Sequence, residues 1–184
     1  MTIDSIRGEY RRYRALAESA LAQLDDADLT RAPGPNANSI AVVAWHLAGN
    51  LRSRFTDCLT ADGEKPWRAR EEEFARREVS RADLLEQWSR GWEALFDAID
   101  PLTDQDLERT VTIRGQPWSV VEALHRSLAH AAYHVGQIVY QAKTLRGERW
   151  SYLSIPPGGS DAYNQAPSFD RPDQQRERLG PSTA

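Results

Sequence analysis

One segment of the chain limits its possible folds more than any other. Between residues 120 and 145, apolar side chains recur at alternating steps of three and four residues without interruption. This spacing places them on one face of an α-helix, which has about 3.6 residues per turn. The face consists of Val121, Leu124, Leu128, Ala131, Val135, Ile138, Ala142 and Leu145. A long helix with one apolar face must pack on other elements, so the segment predicts a helical core.

The same spacing predicts three further helices. They cover residues 4–24, 40–61 and 81–99. Each of the four predicted helices is preceded by a residue whose side chain can accept hydrogen bonds from the first backbone N–H groups of a helix. These residues are Asp4, Ser39, Ser80 in a capping box with Asp83, and Ser119 in a capping box with Glu122. Four helices of about 20 residues predict an all-α four-helix bundle.

The connections between the predicted helices differ in character. The first two are about 14 and 19 residues long, which is longer than usual bundle loops and leaves room for crossovers. The second, residues 61–79, carries a charge run that is typical of a solvated surface. Residues 110–118 alternate apolar and polar side chains around an Arg-Gly pair and predict a small hairpin. We expect residues 1–165 to form one domain with an irregular extension over 148–165, and residues 166–184 to be a polar tail.

Composition excludes several classes of protein. The chain has 184 residues, and its net charge of -4 gives no support to a general nucleic-acid binder, which would need a basic surface. No apolar run approaches the roughly 20 residues that a membrane helix needs. The N-terminal residues contain no apolar signal-peptide core. The single cysteine, Cys58, cannot form an internal disulfide. We therefore expect a cytoplasmic protein.

Two of the four histidines are four residues apart in the most periodic helix. His130 and His134 lie on one flank of its apolar face, whereas His125 lies on the opposite flank. In the second helix, His46 occupies a similar flank beside the apolar face. Three neutral imidazoles with an open fourth position are the ligand set of a catalytic metal site.

The sequence leaves this interpretation open. An i, i+4 histidine pair also occurs by chance, and periodicity does not show that two helices are neighbours. Asn50 and Gln137 lie one turn from a histidine on the same flank. They are either residues that orient a ligand or ordinary solvated polar residues. Cys58 is interpreted as a small core residue.

Two of these stretches also resemble a known family. "WHLAGN", residues 45–50, and "HAAYHVGQI", residues 130–138, are similar to the DinB-like (YfiT-like) superfamily of metalloenzymes. The stretch "DGEKPWRAREEEF", residues 62–74, resembles an uncharacterised branch, a domain of unknown function. The superfamily resemblance extends from about residue 5 to residue 146.

This resemblance implies more than the spacing does. It implies up-down-down-up helix order and a homodimer. It also implies that His46, His130 and His134 bind a divalent metal, either nickel or zinc. It also implies a low-molecular-weight thiol cofactor and a small-molecule substrate, because characterised relatives include thiol-dependent transferases and isomerases.

The leading functional hypothesis is therefore a metal-dependent thiol S-transferase, with no catalytic residue assigned beyond the three ligands. Two alternatives stay open: a non-catalytic metal-binding or stress-response protein, and a metal-dependent hydrolase. A ferritin-like di-iron site is disfavoured, because Glu122 and His125 form a single Glu-x-x-His motif where two are needed.

Overall fold

Seven α-helices and a two-stranded hairpin form residues 2–167, the part of the chain that the computed structural model describes. The helices are α1 (Thr2–Leu21), α2 (Asp26–Thr30), α3 (Ile40–Phe55), α4 (Arg70–Glu73), α5 (Arg81–Ile99), α6 (Val120–Arg146) and α7 (Ser160–Gln165). The antiparallel strands are β1 (Thr110–Ile113) and β2 (Gln116–Ser119). Short 3₁₀ helices cover Asp104–Glu108 and Gly147–Arg149. Most of the predicted polar tail, from residue 168 onward, lies outside the described residues.

The first and last long helices run in the same direction. The hydroxyl of Tyr10, in the middle of α1, donates to the carbonyl of Leu124 near the start of α6. Beyond the ends of the same two helices, Gln23 exchanges hydrogen bonds with Ser151. Corresponding ends of α1 and α6 therefore lie at the same end of the bundle.

The two central helices run in the opposite direction to α6 and parallel to each other. His46 of α3 contacts His130 in the middle of α6, whereas Phe55 at the end of α3 shares a cavity with Val120 at the start of α6. Arg81 at the start of α5 donates to the carbonyl of Leu21 at the end of α1. Arg7 near the start of α1 donates to the carbonyl of Ile99 at the end of α5, so α5 runs opposite to α1 and therefore also opposite to α6. The all-α bundle with up-down-down-up order is therefore confirmed.

The core lies between these four helices. Trp88 and Trp92 of α5 are 2% and 0% exposed, so both are packing residues. On α6, the predicted inward positions Ala131, Val135 and Ile138 are all buried. The helices α3 and α5 approach closely at Gly91, where a Cβ atom would lie 2.6 Å from the Cα of Ala48. This glycine is needed for backbone proximity and not for an unusual φ angle.

Three of the four predicted helix caps are confirmed. Ser39, Ser80 and Ser119 each accept a backbone N–H from the first turn of the following helix. The prediction for Asp4 is wrong, because α1 begins at Thr2 and Asp4 lies inside the first turn. The carboxylate of Asp104 instead accepts the backbone N–H groups of Thr2 and Ile3 at 3.2 and 2.9 Å. A partner about 100 residues away in the chain leaves no local sequence signal.

The second predicted helix is also shorter than expected. It ends at Phe55 and not at residue 61, because Thr56 is extended and Asp57 has a φ of 50°. Residues 56–80 then connect two parallel helices, so the chain must return along the length of the bundle. This crossover contains α4, and it is fixed to the hairpin by Asp62, which accepts the backbone N–H groups of Arg114 and Gly115.

The predicted hairpin is present, with the turn that its sequence requires. Arg114 and Gly115 have φ angles of 54° and 71°, the left-handed pair found in tight two-residue hairpins. In the C-terminal extension, Trp150 is buried against the core, which ties that segment to the bundle. Within residues 2–167, no helix is long and apolar enough to cross a membrane.

Candidate metal centre

Three histidines from two antiparallel helices meet beside the core. His46 extends from α3, and His130 and His134 extend from adjacent turns of α6. The Nε2 atom of His130 lies 3.4 Å from that of His46 and 3.1 Å from that of His134. Each of the three residues offers one ring nitrogen, and these atoms lie within 4.8 Å of one another. The three predicted ligands therefore form a group that could hold a metal ion.

The distances match the requirements of a small divalent ion. Zinc–nitrogen bonds of about 2.0–2.1 Å at tetrahedral angles separate two ligand nitrogens by about 3.3 Å. The separations of 3.4 and 3.1 Å involving His130 bracket this value. The ligand atoms of the remaining pair, His46 and His134, lie within 4.8 Å of each other.

A carboxylate from the crossover orients the first histidine. Nδ1 of His46 lies 2.8 Å from Oε2 of Glu73, at the end of α4. The carboxylate accepts a hydrogen bond from the Nδ1–H group. In this tautomer Nε2 carries no proton and is directed at the other two histidines. The ring of Phe74 covers that of His46, with centroids 4.4 Å apart.

Glu73 is itself held in place. Arg68 donates from Nε and from a terminal nitrogen to the two carboxylate oxygens, at 2.8 and 2.9 Å. The side chains of Glu73 and Arg68 are 8% and 2% exposed. Gly49 of α3 allows the close approach, because a Cβ there would lie 2.4 Å from Oε1 of Glu73. The prediction that this charge run is a solvated surface is therefore wrong for these two residues.

Gln137 orients the third histidine. Its Oε1 lies 2.9 Å from Nδ1 of His134, so the amide oxygen accepts a hydrogen bond from the Nδ1–H group and again leaves Nε2 free. This hydrogen bond favours the orienting interpretation of Gln137 over that of an ordinary solvated residue. Asn50 lines the adjoining cavity but makes no hydrogen bond to a histidine within residues 2–167. His125 is exposed on the other flank, as expected.

The electrostatic environment favours the neutral form of His130 and His134. Burial, with the charges that His134, His46, Arg68 and Arg54 carry or can carry, lowers the pKa of His130 to about 3. Burial also lowers the pKa of His134, and the hydrogen bond to Gln137 opposes this shift. Burial alone would raise the pKa of Glu73, but hydrogen bonds from His46 and Arg68 bring it below its usual value. Near neutral pH, His130 and His134 are unprotonated and Glu73 is anionic, as metal binding requires.

A cavity of about 420 Å³ adjoins two of the three histidines. His46 and His130 form part of its wall, together with side chains from the crossover, the hairpin and the start of α6. Cys58 also lines it, half-buried, and burial raises the pKa of its thiol. The packing of Cys58 against the core agrees with the expected structural role.

Comparison with known proteins places the chain in a family. A family model described as "Protein of unknown function (DUF1572)" matches residues 2–159. The chain belongs to this family. No curated protein matches it. The expectation from residues 62–74, a domain of unknown function, is thus confirmed. The wider relationship to the DinB-like superfamily stays a prediction.

A solved structure shows the same fold. The crystal structure of a conserved protein from Enterococcus faecalis is similar to this chain with a TM-score of 0.59 and 20% sequence identity. The match covers 78% of this chain and 96% of the other. At this identity, the similarity supports the fold alone.

Proposed function

We propose that this member of the DUF1572 family binds a divalent transition-metal ion, nickel or zinc, through His46, His130 and His134. We further propose that it is a metal-dependent thiol S-transferase. The observation that carries the proposal is the convergence of three Nε2 atoms at distances of 3.1 and 3.4 Å beside a cavity. The preset tautomers of His46 and His134 support it, since each Nδ1 proton is accepted by a buried or half-buried side chain.

The number of ligands favours chemistry over a structural role. Among residues 2–167, no fourth histidine, cysteine or carboxylate joins the three ligand atoms. Structural zinc sites are usually closed by four protein ligands, whereas catalytic sites keep a position for water or substrate. Here His46 and His130 line a cavity that has room for such a ligand. This argues against the non-catalytic alternative.

The cavity wall favours transfer over hydrolysis. A hydrolase needs a general base beside the open position. No aspartate or glutamate lines the cavity in the part of the chain described, and the carboxylate of Glu73 is already engaged by His46 and Arg68. A thiol needs no such base once its proton is lost.

When bound, the metal would lower the pKa of a coordinated thiol and supply a thiolate nucleophile. The protein's own residues would hold the site in place: Glu73 and Gln137 fix two imidazole rings, and Phe74 shields His46 from water. The thiolate sulfur would form a bond to an electrophilic carbon of the second substrate, the leaving group would depart with the bonding electrons, and the thiol proton would pass to solvent.

Elemental analysis of tag-free protein tests the metal site. We expect about one nickel or zinc ion per chain in the wild type and a loss of most of it in each of the variants His46→Ala, His130→Ala and His134→Ala. His125→Ala is the matched control, because this exposed histidine lies on the same helix away from the site. Equally low metal in wild type and variants would reject the site.

Activity then tests the chemistry. Metal-loaded protein is incubated with a panel of low-molecular-weight thiols and electrophiles, and thioether formation is followed by mass spectrometry. We expect a rate above the uncatalysed reaction that disappears in His130→Ala but not in His125→Ala. Metal-loaded protein without any such rate would reject the transferase and favour a binding protein.

A further inference from the structure

The permanently charged side chains that line the cavity beside the histidines all carry positive charge. Among the residues that the structure describes, five arginines line it and no acidic residue does. The five are Arg54, Arg68, Arg70, Arg114 and Arg126. Their guanidinium groups come from α3, the crossover, the hairpin turn and α6. Residues from four separate parts of the chain thus contribute positive charge to one space.

Nearby carboxylates compensate only part of this charge. Glu73 is paired with Arg68, and Glu71 with Arg70 at 2.8 Å. Glu64 is shared between Arg54 at 3.2 Å and Arg114 at 2.9 Å. Arg126 has no carboxylate within 4 Å in residues 2–167, and its guanidinium lies over the ring of Trp118, 5.3 Å from the centroid. Three neutral imidazoles would also leave the charge of a bound divalent ion uncompensated.

Positive charge is costly where water is partly excluded. The side chain of Arg54 is 15% exposed. Burial lowers the pKa of this guanidinium, the charge and hydrogen bond of Glu64 oppose the shift, and the charges of Arg68 and Arg114 add to it. A further anion in the cavity would relieve this mutual repulsion and pair with Arg126.

The cavity lining also includes apolar side chains. Among them are Phe55, Leu59, Leu102, Val111 and Leu124. A volume of about 420 Å³ lies in the range of small-molecule binding sites, roughly 300–1,000 Å³. A ligand that fills it would place an apolar body on these side chains and a charged group at the arginines.

We propose that the cavity binds an organic anion, in which a carboxylate or phosphate group pairs with Arg126 and Arg54 and an apolar body contacts Phe55 and its neighbours. Since this anion would be a substrate for the proposed metal centre, the inference rests on the proposed function and narrows its substrate class. The selectivity comes from the arginine charges together with hydrophobic contact with the apolar lining.

A matched pair of fluorescent probes tests this proposal. 8-Anilinonaphthalene-1-sulfonate and N-phenyl-1-naphthylamine share an apolar body, but the first also carries an anionic sulfonate in place of a carboxylate or phosphate. In titrations of metal-loaded wild type, we expect the sulfonate to bind at least tenfold more tightly, with the difference decreasing as salt is added. Displacement by 4-phenylbutyrate or by phenyl phosphate then identifies the preferred anionic group.

Variants locate the binding. Arg126 is exposed and unpaired by carboxylates, so Arg126→Gln should fold normally and weaken sulfonate binding by about fivefold, without affecting the neutral probe. Arg126→Lys should retain most of the affinity. Arg90→Gln, an exposed arginine on α5, is the control and should bind as the wild type does. Equal affinity of both probes, or equal losses in Arg126→Gln and Arg90→Gln, would overturn the proposal.

Metal content measured on the same samples separates the two hypotheses. Metal-loaded protein without a preference for the anionic probe would reject the anion site and leave the metal centre intact. Protein that holds no metal but still prefers the anionic probe in an Arg126-dependent manner would support the anion site and reject the metal centre.

Discussion

The substitution Glu73→Gln replaces one carboxylate oxygen with an amide nitrogen and leaves the size of the side chain almost unchanged. The carboxylate accepts hydrogen bonds from Nδ1 of His46 and from two nitrogens of Arg68, at 2.8 to 2.9 Å. Glutamine has a single acceptor oxygen. If that oxygen stays with Arg68, the amide group faces His46 with a donor.

The consequence is a change of tautomer. A donor beside Nδ1 of His46 favours the tautomer with its proton on Nε2, and this is the nitrogen that would coordinate the metal. Metal binding would then require the imidazole to rotate or to change tautomer. Loss of such an orienting partner typically reduces metal affinity by about 10- to 100-fold, or roughly 1.4–2.8 kcal/mol. Because the Glu73 side chain is 8% exposed, water cannot readily replace it, and we expect the upper half of this range.

Competition with a fluorescent zinc chelator at neutral pH measures the effect. Glu72→Gln provides the control, because Glu72 is the exposed neighbour on the same short helix. Circular dichroism should show that both variants are folded. If Glu73→Gln is folded and its zinc dissociation constant lies within threefold of that of Glu72→Gln, the carboxylate does not orient the ligand.

Three further predictions concern the same framework. In Gly49→Ala, the new Cβ would lie 2.4 Å from Oε1 of Glu73, so zinc affinity measured by chelator competition should fall about tenfold; unchanged affinity would contradict the contact. In Gly91→Ala, the new Cβ would lie 2.6 Å from the backbone of Ala48, so the free energy of unfolding of metal-free protein, measured in urea, should fall by about 1–3 kcal/mol. A variant as stable as the wild type would exclude this close packing. His130 has a folded-state pKa of about 3, lowered from 6.5, so the metal-free folded protein binds fewer protons than the unfolded chain between these values. As pH decreases from 6.5 towards 3, the free energy of unfolding of the wild type should therefore fall relative to that of His130→Asn. The decrease should be less than about 1.4 kcal/mol per pH unit, because the ring is partly accessible to water. Parallel curves of unfolding free energy against pH for the two proteins would refute the pKa shift.

Local patterns predicted the helices well because the energetics of each helix are largely local. The apolar spacing of residues 120–145 and the serine caps at residues 39, 80 and 119 depend on side chains within a few positions of one another. The same rotational argument brought His46, His130 and His134 onto matching flanks. That argument could not show that α3 and α6 are neighbours, which required the family resemblance and then the structure.

The supporting residues were not predictable in this way. Arg68 and Glu73 lie in a segment without periodicity, and their burial depends on where the crossover passes relative to α3. Asp104 caps α1 from about 100 residues away. One signal was present for Glu73: a glycine, Gly49, faces it from the otherwise well-packed helix α3. The reason for a glycine at this position becomes clear only when the position of the crossover relative to α3 is known.

The ligand spacing along the chain has a consequence for folding. His46 and His130 are 84 residues apart in sequence, whereas His130 and His134 are already neighbours on one helical turn. An ion shared by all three would close a long loop, as a disulfide does, and would bind the unfolded chain far less well than the folded one. We therefore expect the stability of the protein to depend on the concentration of free metal. The melting temperature should rise as the metal concentration exceeds the dissociation constant. Conditions that deprive the protein of metal would then lower the amount of folded protein as well as any activity.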